Sequence, residues 1–387
     1  MRTTFLPFSF PTIEQDEIDE VVDSLKSGWL TTGPKVQKFE EELRKLIGAN
    51  HVVATNSCTS GLLLCLRALG IGAGDEVITT PLTFAATVNM IVIAGAHPVL
   101  VDIDRKTLQI DPSRIEKAIT PRTKAIVPVH FAGQPSDLDV ICEIALKHRL
   151  ELIEDAAHGL GTEYKGRKIG ASSRLSVFSF HPSKNITTGE GGAVCTTDAE
   201  LADRIRVLRF HGLSKEAWNR YSEKGVAEYE ILEPGFKFNM LDLQAAIGIH
   251  QLKKLDRFTL AKETLVQRYE KEFAETPGLI LPQRVSYPHR HTWHLYTPLL
   301  DLDRLRLNRA EFVTELKRYR IGAGIHYLAI HHHPYYRQLL KIADGMLPNA
   351  DFVSSRIVSL PLFPKMTEQD QTDVVEAVQT ILRGNLK

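Results

Sequence analysis

From about residue 51, the chain alternates short runs of β-branched and apolar residues with longer segments whose apolar positions recur at helical spacing. Short apolar runs bounded by polar turns are typical of buried strands, and the longer segments are typical of helices. This alternation predicts βαβ units, and hence a mostly parallel sheet covered by helices on both faces. The predicted strands are HVVAT, DEVITT, PVLVDI, KAIVPVH, ELIED, SVFSF and GAVCTT.

The last third of the chain has a different pattern. A long helical stretch spans residues 241–275, loop-like text with prolines follows at 277–288, and RAEFVTELKRYRIG then predicts a helix of a smaller α+β unit. A chain of 387 residues also exceeds the roughly 250–300 residues at which a single core stops growing. We therefore predict a large α/β domain with an N-terminal arm at 1–255 and a small α+β domain at 256–387.

The composition of the chain argues against several classes of function. The 47 basic and 47 acidic side chains give a formal net charge of zero, so the protein has no global field for nucleic acid or an anionic membrane. No export signal and no uncharged run of the ~18–20 apolar residues needed for a membrane helix is present. Four scattered cysteines without a CxxC pair argue against a disulfide framework or zinc ribbon, and we expect a cytoplasmic protein.

Polar residues follow the predicted strands at the points where ligands collect in parallel sheets. We expect one shared pocket to gather five segments: 56–60, 80–84, 130–134, 155–158 and 180–184.

The segment TNSCTSGLLLCL predicts a polar turn that leads directly into an apolar helix. Free N–H groups at that helix start, with the hydroxyls of Thr59 and Ser60, form a candidate anion site. Ordinary N-capping by Ser57 or Thr59 explains the same residues equally well.

A buried acid is predicted at the end of the strand in ELIEDAAHGLG. A carboxylate there is costly unless it has a partner, such as a protonated heterocyclic nitrogen, and Asp155 is the candidate. Its alternative role is a helix cap.

Lys184 lies in FSFHPSKNITTGEGGAV, between a predicted strand and a glycine-rich turn. Desolvation would lower the pKa of its amine enough for it to form imines near neutral pH, although a lysine in a polar loop is usually a solvated surface charge. Ser179 could add a hydroxyl to the anion site. The order of anion site, acid and lysine is the arrangement expected of an enzyme that uses pyridoxal 5′-phosphate (PLP).

The segments EDAAHGLGT, FSFHPSKNITTGEGGAV and FKFNMLDLQAAIG resemble the DegT/DnrJ/EryC1/StrS family of sugar aminotransferases, and the likeness extends over nearly the whole chain. The C-terminal segments HTWHLYTPLLD, RIGAGIHYLAIHHHPYYR and SLPLFPKMT are most similar to the branch that makes UDP-4-amino-4-deoxy-L-arabinose from the 4-keto sugar. Relatives acting on 4-keto-6-deoxy or 3-keto sugars stay open as alternatives. The resemblance implies the PLP-dependent aminotransferase fold type I and a homodimer with shared active sites.

The resemblance also implies roles for individual residues. Lys184 would form the Schiff base and shuttle the proton, and Asp155 would keep the ring nitrogen protonated. Phe84 would stack on the ring. His158, at a position often filled by glutamine, would contact the ring or its 3′-oxygen. The implied phosphate ligands are Thr59, Ser60, Ser179 and, from the neighbouring subunit, Asn239.

The implied substrates are glutamate, converted to 2-oxoglutarate, and a keto sugar carried on a nucleoside diphosphate. The expected sugar-nucleotide contacts are Trp29, Leu30, Thr31, His326 and Tyr327, with loop packing as the alternative for the last two. Arg209 and Lys237 could contact the diphosphate, although surface positions explain them equally well.

Three other classes of protein remain as competitors. They are a PLP-dependent lyase, a non-catalytic PLP-binding regulator and a dinucleotide-binding dehydrogenase; GIGAGDEV would belong to the last, but it precedes its strand and lacks the third glycine. No metal site is predicted, because the adjacent histidines 331–333 cannot all face one ion from a regular strand or helix.

Overall fold

The alternating pattern corresponds to alternating elements in the structure, a computed structural model that describes residues 2–214 and 229–387. The first part of the chain contains α1 (Gln15–Ser27), α2 (Pro34–Ile47), β1 (His51–Thr55), α3 (Cys58–Ala68), β2 (Glu76–Thr79), α4 (Ala85–Ile93), β3 (His97–Leu100), α5 (Ile115–Ala118), β4 (Thr123–Val127), α6 (Leu138–His148), β5 (Glu151–Leu152), β6 (Glu154–Asp155), β7 (Glu163–Tyr164), β8 (Arg167–Lys168), β9 (Ser176–Ser179), β10 (Gly192–Thr196) and α7 (Ala199–Leu208).

The second part is mainly helical. It contains α8 (Asp242–Phe273), β11 (Leu279–Ile280), β12 (His289–Arg290), β13 (Leu299–Leu300), α9 (Arg309–Arg318), α10 (Pro334–Leu340), α11 (Pro348–Arg356) and α12 (Glu368–Gly384). The predicted long helix at 241–275 is therefore confirmed as α8. Among the helices in the described part of the chain, none combines the length and apolar character needed to cross a bilayer.

Two four-stranded segments are joined by a parallel bridge between Val129 and Asp155. The segment β3-β2-β4-β5 is parallel throughout, and in β1-β10-β9-β6 only β10 runs against its neighbours. The segments meet where β6 directly follows β5, and the Asp155 N–H donates to Pro128 O (2.9 Å). The predicted mostly parallel sheet is confirmed, with β10 as its reversed strand.

Helices cover both faces of this sheet, as the uninterrupted apolar strands predict. Alternate residues of β1, β9 and β10 therefore enter different cores. Val53, Val177 and Val194 pack with residues of α3 and α7. On the opposite face, residues of α2 and the first half of α8 pack against Val52, Ala54, Phe178, Ala193 and Cys195.

A separate apolar cluster holds the C-terminal unit together. It contains Val266, Tyr269 and Phe273 from the second half of α8 with residues of α9 and α12. The predicted boundary at 255/256 thus falls inside α8, whose two halves pack in different cores. Leu6, in the arm that was grouped with the large domain, pairs with the C-terminal unit through Leu6 N to Arg320 O (2.9 Å) and Gly322 N to Leu6 O (2.8 Å).

Candidate active site

The carboxyl ends of the central strands bring the predicted segments together. Asp155 ends β6, Ser179 ends β9, and Lys184 lies in the loop that follows β9. Thr87, in the first turn of α4, donates its hydroxyl to Asp155 Oδ2 (2.7 Å), which links the segment after β2 to this strand end. The segments after β2, β6 and β9 therefore meet near Asp155, as the predicted shared site requires.

Lys184 lies in an environment that destabilises its ammonium form. Burial lowers its pKa to about 8, although the negative charge of Asp155 opposes the change. Its Nζ makes no hydrogen bond within residues 2–214 and 229–387. A lysine with this pKa is partly neutral near physiological pH, and the neutral amine is the nucleophile.

Asp155 is a buried carboxyl with two hydrogen-bond donors. Burial raises its pKa, while the hydrogen bonds from Thr87 and from the Ala157 N–H to Oδ1 (3.1 Å) lower it. Thr87 is itself within 2.7 Å of the Thr83 hydroxyl. Since burial outweighs these donors, the ionised carboxylate needs a cationic partner, and a protonated ring nitrogen would supply it.

The predicted anion site lies at the start of α3. Ser57 is the N-cap and accepts from the Ser60 N–H (3.1 Å), and the Ser60 hydroxyl donates to Asn56 Oδ1 (2.6 Å). Capping therefore accounts for Ser57 and Ser60, while the N–H groups of Cys58 and Thr59 lie at the open end of the helix. Both predicted explanations of this turn thus have structural support.

Gly192 of β10 permits the turn to sit directly on the sheet. A Cβ at this position would lie 2.4 Å from the Ser57 carbonyl carbon and 2.5 Å from the Cys58 nitrogen. Both are backbone atoms and cannot move aside, so only glycine fits here.

His158 connects the large domain to the C-terminal unit. Its Nδ1 accepts from the Ala132 N–H (3.2 Å), so the neutral ring carries its proton on Nε2 and donates it to the Tyr327 hydroxyl (3.1 Å). Burial holds the pKa of His158 well below its ordinary value. Phe84 lies beside this pair, with its ring centroid 6.0 Å from that of Tyr327. Its side chain is 61% exposed, which leaves a ring face free for a flat ligand.

The N-terminal loop that was predicted to contact the sugar nucleotide is bound to Asn239. Asn239 Nδ2 donates to Thr32 Oγ1 (2.6 Å), and Trp29 Nε1 donates to Thr32 O (3.1 Å). Trp29, Leu30 and Thr31 are exposed. Within the described residues, no hydrogen bond or ring contact joins this loop to Lys184 or Tyr327.

The remaining predicted contacts have specific partners. His326 Nδ1 lies 2.8 Å from Ser359 Oγ, and burial lowers the pKa of His326 to about 4. Arg209 pairs with Glu40 (2.7 Å), and Lys237 donates to Asn239 Oδ1 (2.7 Å). The Arg209 guanidinium is therefore engaged inside the large domain, which argues against the suggested diphosphate contact.

Comparison with known proteins assigns the chain to a family. Residues 11–379 match the DegT/DnrJ/EryC1/StrS aminotransferase family model. The chain belongs to this family. It is 51% identical over 384 residues to the spore coat polysaccharide biosynthesis protein SpsC of Bacillus subtilis (strain 168), covering 99% of this chain and 98% of SpsC. The resemblance predicted from sequence is thus confirmed, while similarity to the arabinose branch stays a prediction.

Solved family structures share the fold. Spr1654 from Streptococcus pneumoniae, proposed to be a sugar aminotransferase, has a PLP form that superposes with a TM-score of 0.91 at 31% identity, over 98% of this chain and 99% of its own. Helicobacter pylori PseC, an aminotransferase involved in the biosynthesis of pseudoaminic acid, superposes with a TM-score of 0.90 at 31% identity, over 99% of this chain and 100% of its own. The predicted aminotransferase fold is therefore confirmed.

Sequence reasoning missed several residues around the family site. Thr87 binds Asp155, and its signal was the Thr83/Thr87 spacing of one helical turn. His294 has its ring centroid 4.2 Å from that of His158. Fully buried His130 lies 2.8 Å from Glu154 Oε2, one residue before Asp155. No local pattern marks the last two contacts.

Two of the three adjacent histidines do converge on one residue. His331 and His332, in a 3₁₀ turn at Ile330–His332, place Nε2 at 2.7 Å and 3.0 Å from Asp351 Oδ1. The hydrogen bond of His331 and the close contact of His332 tie this turn to α11.

Proposed function

We propose that the protein transfers an amino group from glutamate to the keto carbon of a sugar nucleotide, with PLP as its cofactor. The observation that carries this proposal is the pairing of a half-buried lysine, whose pKa is lowered by desolvation to about 8, with a buried carboxyl at the end of the neighbouring strand. Membership of the aminotransferase family and the PLP form of Spr1654 support the same chemistry.

The residues fit PLP at each part of the molecule. Asp155 would pair with the ring nitrogen, Phe84 would cover a ring face, and His158 with Tyr327 would face the ring edge. The helix start at Thr59 and Ser60, with Ser179, would hold the phosphate. When bound, PLP supplies an aldehyde carbon for amines and a ring that withdraws electrons from that carbon.

The reaction would require two functions from the chain's own side chains. Lys184 Nζ would attach to the cofactor and then, once displaced by the donor, accept and return a proton at the reacting carbon. Asp155 would remain ionised through its ring-nitrogen partner and its donors Thr87 and Ala157. Burial of Lys184 favours the neutral amine that accepts the proton.

We propose a 4-keto nucleotide sugar as the amine acceptor, most similar to UDP-4-keto-arabinose, with 4-keto-6-deoxy and 3-keto sugars as alternatives. The contact between Tyr327 and His158 supports a role for the C-terminal unit at the sugar. The likeness to SpsC, whose name refers to polysaccharide biosynthesis, favours a sugar substrate.

The central experiment is a visible spectrum of protein loaded with PLP. We expect an absorbance band that is lost in Lys184→Ala and kept in Lys253→Ala, which removes an exposed lysine of α8. Glutamate should bleach the band and a keto sugar nucleotide should restore it. A band that survives Lys184→Ala would overturn the cofactor assignment, and a band that glutamate leaves unchanged would favour a lyase or a regulator. Mass spectrometry of products from a panel of keto sugars would identify the acceptor.

We also propose a homodimer in which Asn239 completes the partner's site. Lys184→Ala and Asn239→Ala should each be inactive alone. Their heterodimer would contain one site that retains both residues, so co-expression should restore about a quarter of wild-type activity, because half of random dimers are mixed. Absence of complementation in verified heterodimers would show that each site is built within one chain.

A further inference from the structure

A small cavity lies beside Lys184, between the N-terminal arm and α8. Its volume is about 20 Å³, enough for one ligand of about the size of a water molecule. Its walls come from the arm (9–12), the Lys184 loop (182–187), α8 and the segment 362–364. Apart from Lys184, none of the residues expected to hold the cofactor lines it.

The charge around this cavity is one-sided. Lys184 and Lys262 line it together with His294, whose ring is neutral because burial holds its pKa well below the ordinary value, and no acidic side chain lines it among the residues that the structure describes. Lys262 is 4% exposed, and its Nζ donates to the neutral Asn185 Oδ1 (2.8 Å). An ammonium has three N–H donors, and a buried cation is costly without a negative partner. Burial accordingly lowers the pKa of Lys262 to about 7.

Two further polar groups at the cavity lack partners. Thr12 Oγ1 and His294 Nδ1 are buried and form no hydrogen bond within the described part of the chain. Both residues line the cavity and are more than nine-tenths buried. Buried polar atoms in folded proteins almost always have a partner, so two such atoms beside one cavity indicate a missing ligand.

We propose that this cavity is a binding site for one small monoanion of the halide class, such as chloride. Lys262 Nζ, the Thr12 hydroxyl and His294 Nδ1, in the neutral tautomer that carries the proton on Nδ1, can all donate hydrogen bonds, so they suit a ligand that only accepts. A water molecule could accept from them but would leave the lysine charge uncompensated. The argument for this site does not rest on the proposed transfer reaction, although Lys184 contributes to the cavity wall.

The direct test uses bromide, which scatters X-rays anomalously. Crystals of the full chain grown or soaked in sodium bromide should show an anomalous peak within hydrogen-bond distance of Lys262 Nζ and Thr12 Oγ1. Density for water without an anomalous signal would overturn the proposal. A peak without any effect of bromide in solution would also overturn it, as binding at crystal concentration only.

The solution test compares sodium bromide with sodium gluconate at equal ionic strength. Above its dissociation constant, bromide should raise the melting temperature of the wild type by about 2 °C for each tenfold increase in concentration. Lys262→Met should abolish this dependence, and Thr12→Val should weaken it, while Lys253→Met should retain it. Equal responses to bromide and gluconate in the wild type would contradict the site even if a variant fails to fold.

Discussion

Replacing Lys262 by methionine tests how burial of this lysine changes the stability of the chain. Lys262 lies on the inward side of α8 and has no acidic partner among the described residues, with Asn185 as its hydrogen-bond acceptor. Methionine has a similar length and no charge. The substitution should therefore remove the cost of a buried ammonium while losing one hydrogen bond to a neutral amide.

The size of the effect follows from the pKa of Lys262. A decrease from the ordinary 10.5 to about 7 corresponds to an upper limit of about 5 kcal/mol at roughly 1.4 kcal/mol per pH unit. The unfolded chain binds more protons at this residue than the folded chain between pH 7 and 10.5. The wild type should therefore gain stability relative to Lys262→Met as pH rises through this window, by about 2–3 kcal/mol between pH 7 and 9. Below about pH 6, where Lys262 is protonated in both states, the difference should stay constant.

The assay is urea unfolding of both proteins at several pH values, in gluconate buffers that exclude halide. Subtracting the variant's free energy of unfolding from that of the wild type cancels the contributions of groups that titrate equally in both proteins. Lys253→Met, which replaces an exposed lysine of the same helix, should give no comparable pH dependence. A difference that is flat from pH 7 to 10, or that falls with rising pH, would refute the conclusion that burial controls this lysine.

Three other substitutions test the site and its support. Thr87→Val removes the hydroxyl that donates to Asp155. Because one charge-assisted hydrogen bond is lost, we expect PLP binding to weaken by about tenfold, as measured by titrating the visible band. An unchanged free energy of unfolding serves as the control. Gly192→Ala puts a Cβ against the Ser57–Cys58 backbone, so it should displace the turn proposed to bind the phosphate and reduce PLP affinity more than Thr87→Val does. An affinity equal to that of the wild type would contradict the tight contact. Asp242→Ala removes the carboxylate that accepts from the N–H groups of Gly33, Lys35 and Val36 at the start of α2. It should destabilise the chain by about 2–4 kcal/mol in urea unfolding, and a loss below about 0.5 kcal/mol would show that solvent replaces the cap.

The sheet was predictable from the sequence except for the direction of one strand. Apolar runs with helical text between them imply parallel neighbours, because a parallel return needs a crossover. Only residues 180–191 separate β9 from β10, and they hold the Lys184 loop with no regular helix. That short connection was the available sign that β10 returns antiparallel, and apolar pattern alone could not show it.

The site was predictable where residues follow strand ends and unpredictable where distant segments meet. Asp155 and Lys184 are both placed by the strands that precede them. The hydrogen bond between His158 and Tyr327 joins residues 169 positions apart, and no local spacing encodes it. The burial of Lys262 was predictable from the sequence, because it falls in the apolar stripe of α8 formed by Leu255, Phe258, Val266 and Tyr269.

The long helix α8 explains how the second unit can influence Lys184, the proposed catalytic lysine. Its first residue, Asp242, caps α2, and its last turns enter the C-terminal core. Between these ends, Lys262 binds the side chain of Asn185, the residue next to Lys184, while Asn185 Nδ2 also donates to Leu160 O (2.9 Å) and Thr292 Oγ1 (3.1 Å). The backbone that carries Lys184 is thus fixed by side chains from both units. A large shift of α8 would therefore strain these hydrogen bonds beside Lys184.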